Sequence, residues 1–468
     1  MRYVSTRGQA EPTGFLEVLL GRSRAADGGL WLPEAWPQLL PEEIAACAAR
    51  PLADTAADLL GRFCGGALDP EAVAEATGEA AAAFVRAGPA PLKELHSNHW
   101  LCDLTCGPTA SAADFEMQVL ARLMETALAA RGETRTLVLA TAGDDGGAAA
   151  EAFAGRRRLR LIVLYPEGRL SARRRLQIAG ARAANVRAVA VDGDYQACRD
   201  LAEGLLADAD LADGAGLASI GPENPARLPL QIAHWLAAAA RLGAPARPLA
   251  LAAPAGEASL AFAAWAAHRM GLPLSRIVVG ANANDGLAGL FTDGRFRLTE
   301  PAATRSPELD VARPLALERL YFEAVDREAV ETARAMRALD EAGTIALPPR
   351  AAAVLGVFAG ASADDVETAR TLVQLRNETG ELVDPATAVV VSAARRLIGE
   401  GGGTVIMPAL AHPALCAESV AAATGETPAL PRQLRDLDDR HERIEAIPAE
   451  LEALKAYVRA LTGRSRAA

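Results

Sequence analysis

An α/β fold, in which parallel sheets are flanked by helices, is predicted by three observations on this chain. From about Leu137 onward, short apolar runs alternate with segments of helical periodicity. Hydrophobic residues reach 51%, a figure raised by alanine, while aromatic residues are only 4%; that balance suits closely packed helices over sheets. At 468 residues the chain can also bury two or three substantial cores.

Residues 1–92 read as a separate N-terminal domain and residues 93–468 as a region of two α/β lobes. The N-terminal part holds a turn and short extended piece, Asp27-Gly28-Gly29-Leu30-Trp31-Leu32-Pro33, then alanine-rich helical stretches near 41–50 and 70–87. Gly107–Gln118 reads as a strand-to-helix turn. Asp114 is the expected N-cap, and Leu120, Leu123, Met124, Ala127 and Leu128 share one face of the helix that follows. A helix N-terminus there would favour an anion.

Leu137–Thr141 is a buried strand ending in the glycine turn Gly143-Asp144-Asp145-Gly146-Gly147. Leu159–Tyr165, Val186–Val191, Leu249–Ala253 and Ile277–Gly280 are further strands, with helices expected over Ala172–Ala179, Gln196–Leu206, Leu228–Leu242 and Leu260–Met270. Beyond residue 300, helices are expected over 327–341 and 364–378, then a strand Thr404–Met407 and an amphipathic helix closing Ile447–Leu461.

The net charge of −11 argues against nucleic acid or an anionic membrane as partner. Two basic runs, Arg156-Arg157-Arg158 and Arg173-Arg174-Arg175, read as solvated helix edges, with phosphate binding as the minority reading. Six scattered cysteines show no metal-ligand spacing, so no metal is expected. The N-terminus has no apolar signal core, and the alanine-heavy 249–267 stretch is broken by Pro254, Gly256 and Glu257. A cytoplasmic location without a membrane span is the expectation.

Gly107-Pro108-Thr109-Ala110-Ser111-Ala112-Ala113-Asp114, with Gln118 following, resembles the G-P-T-x-A-F-K-D-x-x-x-Q signature of the threonine synthase family. The likeness continues in order: Tyr3–Gly8, Asp27–Leu30, Ala140–Ala149, Leu164–Gly168, Val189–Asp194, Asn282–Asp285, Glu318–Leu320, Val383–Ala388 and Ala411–Ala414 each resemble a family motif. The resemblance implies the tryptophan synthase β-like architecture known as PLP fold type II: two parallel-sheet α/β lobes with an interlobe cleft, plus the N-terminal domain. It implies conversion of O-phospho-L-homoserine and water to L-threonine and phosphate, on pyridoxal phosphate (PLP) carried by a lysine.

Residue by residue, the chemical positions depart from the pattern. The lysine position is Ala113, and a methyl group forms no imine. Cys106 stands for a histidine, Asp145 for a threonine that holds the substrate carboxylate, and Ala386 for a histidine. Leu415 replaces a lysine and Leu410 a hydroxyl. The loop that cradles the cofactor phosphate reads Gly256-Glu257-Ala258-Ser259. A carboxylate ~4 Å from a phosphate charge costs about 4 kcal/mol at an effective dielectric near ~20.

Asn224, Arg227 and His412 are retained as possible ligand contacts; Arg227 could instead pair with an acid such as Glu223, and His412 reads as structural. The chain has two lysines, Lys93 and Lys455, both expected outside the cleft, and arginine cannot supply the amine. No catalytic residue and no cofactor are therefore expected. The favoured function is a pseudoenzyme in binding or regulation, its partner another protein such as an active threonine synthase or another biosynthetic enzyme. The alternatives are PLP-independent acid–base chemistry in a cleft containing Cys106, Ser111, Asp114, Asp145, Glu257 and Ser259, or residual threonine synthase activity.

Overall fold

The computed structural model describes residues 1–22, 24–85, 90–399 and 401–463. A six-stranded sheet runs in the order Phe358–Ser362, Leu274–Ala281, Leu249–Pro254, Val405–Ala409, His99–Asp103, Leu92–His96. All its pairs are parallel except the last, a hairpin that supplies an antiparallel edge. A second, five-stranded sheet is parallel throughout, in the order Ile444–Pro448, Val186–Asp192, Leu159–Pro166, Arg135–Ala140, Leu217–Ser219. The two α/β lobes and the cleft between them are thus present, preceded by helices and a three-stranded antiparallel sheet built from Arg2–Ser5, Thr13–Gly14 and Trp31–Pro33.

Local chemistry explains the elements that frame the cleft. The Leu228–Arg241 helix is buried on nearly every side, which is why its apolar residues run on without a polar stripe. Alanines in it and in Ser259–Arg269 allow close helix–helix approach, while Phe262, Trp265 and Trp36 fill the remaining space edge to face or stacked. The helix after the 107–113 turn runs Asp114–Arg131 and stops at Gly132 in the left-handed region. The 70–87 stretch is helical over Pro70–Ala82, and residues 86 and 87 lie outside the described residues.

Two expectations are corrected. Asp114 is not the N-cap but the first helical residue. Its buried carboxylate turns back to accept bonds from the Thr109 N–H (3.0 Å), Thr109 Oγ1 (2.6 Å) and Ser111 N–H (3.2 Å). Gly107 is required beneath it, since a Cβ there would lie 2.4 Å from that carboxylate. The Arg173–Arg175 run is not a solvated edge throughout, because Arg174 is buried against Glu308. Among the described residues no helix is long and apolar enough to cross a membrane.

Candidate functional site

The loops at the carboxyl ends of the strands of both lobes meet at a cavity of about 80 Å³. Ser111–Ala113 and Glu116 come from the 107–118 turn, Asp144 and Asp145 from the turn after Arg135–Ala140, and Gly256–Ser259 from the turn after Leu249–Pro254. Arg174, Arg227, Glu308 and Leu410 complete the chemically notable lining. Carboxyl-end crevices are where open parallel sheets place ligands.

Three buried guanidinium–carboxylate clusters close this space. Arg227 donates to Glu116 Oε2 from Nε (2.9 Å) and to Asp145 Oδ2 from NH1 (2.9 Å), with Gln231 adding a bond to Glu116 (3.0 Å). Glu257 accepts from Tyr195 Oη (2.8 Å), Arg199 NH1 (2.9 Å) and the Leu315 N–H (2.7 Å), which joins one lobe to the other. Arg174 pairs with Glu308 at 3.0 Å and also donates to the Gly143 carbonyl. Burial alone would lower the Arg227 pKa, but the carboxylates of Glu116 and Asp145 carry it above the ordinary guanidinium value. Burial raises the pKa of Glu116 and of Glu308 from the ordinary carboxylate value, in spite of their arginines.

Asp144 lies between these clusters. Its side chain is open to solvent at the mouth of the cleft, yet desolvation by the surrounding walls, then the adjacent Asp145 carboxylate, pushes its pKa up to about 7, with Glu308 adding to the rise and Arg174 and Arg227 opposing it. The native state holds this proton more tightly than the unfolded chain, so the group's penalty grows as pH rises from about 4 to about 7. Because the Asp144 side chain is open to solvent, which screens these charges, Asp144→Asn is expected to stabilise the protein by less than about 1 kcal/mol above pH 7. The advantage should decline as pH falls through that window and vanish below it; urea titrations at several pH values check both.

The structure brings Ala113, Asp145, Gly256, Glu257, Ser259, Leu410 and Arg227 together around one cavity. It does not bring Cys106, Ala386 or Leu415 there. Cys106 Sγ faces Asp103 (3.4 Å), Ala386 packs with Leu309, Ala363 and Val389, and Leu415 packs with Leu434 and Leu437. Asn224 caps the short Pro225–Arg227 turn and donates to the Leu19 and Ser219 carbonyls, so its amide is used within the fold. His412 Nδ1 accepts the Ala414 N–H at the start of a turn. Arg227 pairs with Glu116 and Asp145 and not with Glu223, which accepts from Ser219.

Asp145 and Glu257 line the same space but form no carboxylate dyad, each being held by its own arginine. Glu116, Arg174, Glu308, Arg199 and Tyr195 were not read from the sequence as cleft residues. Only Arg174, inside its basic run, carried any signal, because the other four are isolated polar residues in apolar helices or loops.

The loop around Glu257 stores strain. Ala258 has φ +56°, and Gly256, at φ +28°, lies where a Cβ would meet the Glu308 carbonyl at 2.9 Å. A left-handed alanine is disfavoured by roughly 1 kcal/mol relative to glycine. Ala258→Gly is expected to raise the unfolding free energy by up to about that amount in chemical denaturation.

Three family models cover almost the whole chain: "Threonine synthase N terminus" over residues 2–80, "Pyridoxal-phosphate dependent enzyme" over 84–364, and "Threonine synthase, C-terminal" over 387–458. A threonine synthase of Pseudomonas aeruginosa is 33% identical, over 98% of this chain and 98% of its own length. This chain belongs to the threonine synthase family. Among solved structures, a PLP-bound threonine synthase of Brucella melitensis superposes with a TM-score of 0.92 at 34% identity, covering 99% of each chain. The Escherichia coli threonine synthase follows at 0.85 and 26% identity, covering 98% of this chain and 100% of that one.

The expectation that no cofactor belongs here is overturned by these matches, because the family is PLP-dependent and a 34%-identical member is PLP-bound. The residues of this cleft fit that group in part. The Ser259–Arg269 helix presents its N-terminus and the Ser259 hydroxyl, both suited to a phosphate. The lining contains no lysine: Lys93 pairs with Glu381 on an edge strand, and Lys455 with Asp208 and Glu452. Covalent attachment through a cleft amine therefore does not fit.

Proposed function

We propose that this protein acts in threonine biosynthesis as a threonine-synthase-type protein whose turnover of O-phospho-L-homoserine is residual. The end-to-end match to threonine synthases supports the substrate class and the reaction. Turnover is held to a residual level by Ala113. It occupies the signature position where the family has its Schiff-base lysine, and no other amine lines the cleft. That amine would also move protons, and a positioned general base contributes about 10²–10⁴-fold to rate.

The chain's own residues add a second handicap. Arg227, suited to grip a substrate phosphate or carboxylate bidentately, is already held by Glu116 and Asp145, so an anionic substrate must displace an internal carboxylate. Phosphate release and threonine formation, assayed with added PLP beside the Pseudomonas aeruginosa relative, test this reading. A rate at least about a thousandfold below the relative's is expected. Comparable rates would overturn it.

A second reading is a pseudoenzyme that binds or regulates a partner, an active threonine synthase being the natural one. The pairing inside the cleft favours it, since Arg227, Arg174 and Arg199 are each engaged by the protein's own buried carboxylates and not left for a substrate anion. Undetectable turnover, together with a changed rate of an active threonine synthase on mixing, would select this reading over the first.

A further inference from the structure

A second concavity, of about 1390 Å³, lies on the five-stranded lobe at the end opposite to the cleft. The cleft gathers loops at the carboxyl ends of the strands. This groove gathers the amino ends, where Arg135, Leu159, Val186 and Ile444 begin their strands. Its lining contains seven arginines against three carboxylates, on a chain whose net charge is −11. Three of the seven are the 156–158 run, which the structure places in the loop entering Leu159–Pro166 and not on a helix edge.

The like charges are brought close by the sheet itself. Arg160 and Arg187 stand on neighbouring parallel strands, with Ile162 opposite Arg187, so the two guanidinium stems are diagonal neighbours on one face. Burial, then Arg187, lowers the pKa of Arg160; burial, then Arg122, lowers that of Arg156. Burial, then Glu445, raises the pKa of the Tyr457 hydroxyl, on the helix packed across this face, with Arg187 and Arg160 opposing the rise. Arg157 is exposed at the rim. Concentrated cations in a concavity raise the local concentration of anions, and guanidinium forks match phosphate oxygens in pairs.

We propose that this groove is a binding site for a small polyphosphate anion, a triphosphate either free or carried by a nucleoside. The volume exceeds the ~300–1,000 Å³ of ordinary small-molecule pockets, so a nucleotide-sized ligand fits. A long polyanion is disfavoured, because outside the groove it would face a surface of excess negative charge. Tyr457 provides a ring beside the arginines for a base, which is what would separate the two sources.

Isothermal titration of the whole protein with inorganic tripolyphosphate, ATP and orthophosphate tests the proposal. Saturable one-site binding of the triphosphates is expected, at least roughly tenfold tighter than orthophosphate and weakened by salt. Tighter binding of ATP than of tripolyphosphate assigns the nucleotide, and equal binding assigns the inorganic anion. Exchanging Arg157→Ser and Arg187→Ser together should weaken binding at least roughly tenfold, whereas Arg337→Ser, exposed elsewhere, should not. No saturable binding, equal loss in all variants, or tighter binding of a long oligonucleotide than of ATP would overturn it. The site lies apart from the cleft, so either outcome is independent of phosphohomoserine turnover.

Discussion

Arg227→Ala is expected to lower the unfolding free energy by about 3–5 kcal/mol, the usual result of removing one partner from a buried charge cluster. Arg227 is 6% exposed, and its loss strands Glu116 and Asp145, 4% and 3% exposed, with Gln231 as the remaining donor to Glu116. One Asp145 oxygen, Oδ1, already lacks a hydrogen-bond partner, so that carboxylate has little to fall back on. The variant should recover part of the deficit on acidification. Glu116 is raised by burial even beside Arg227, so without that cation it protonates at higher pH and sheds its charge. Urea unfolding at pH 8 and pH 5.5 reads both effects. A loss below about 1 kcal/mol, or one independent of pH, would contradict the view that these charges lock the cleft.

Ala113→Lys is expected to change covalent chemistry from none to one PLP adduct per chain, trapped by borohydride and mapped to residue 113. The position is 8% exposed on the cavity wall, one helical turn before Glu116. The lining there offers five carboxylates against two guanidiniums, so an ammonium is electrostatically welcome. Phosphohomoserine turnover should rise by at least about tenfold, a small part of what a positioned base can contribute, because Arg227 remains engaged by Glu116 and Asp145. Failure of the A113K variant to trap PLP would contradict this reading and place the defect elsewhere in the cleft.

Much of the fold was legible because hydrophobic periodicity is a local property. The Ala172–Ala179 helix and the strands from Arg135 to Asp192 follow directly from it. The strands that escaped are short or assembled at long range. Leu217–Ser219 is three residues, and Ile444–Pro448, exposed over most of its length, is a strand only because it pairs in parallel with Val186–Asp192, far away in sequence. The site divides in the same way. Ala113, Asp145 and Glu257 stood out against a motif, but what neutralises the carboxylates did not, since Arg227 and Arg199 reach them only through tertiary packing. The repulsion predicted from Glu257 alone is accordingly absorbed inside the protein by Arg199, Tyr195 and the Leu315 N–H.

The measurement that bears most directly on the central claim is reductive trapping of the wild-type protein with PLP, followed by peptide mapping and a phosphohomoserine assay on the same preparation. No specific adduct is expected at Lys93 or Lys455, which are tied to Glu381 and to Asp208 and Glu452, and phosphate release is expected at a residual level at most. A stoichiometric adduct on either lysine, accompanied by turnover at the rate of the Pseudomonas aeruginosa relative, would contradict it.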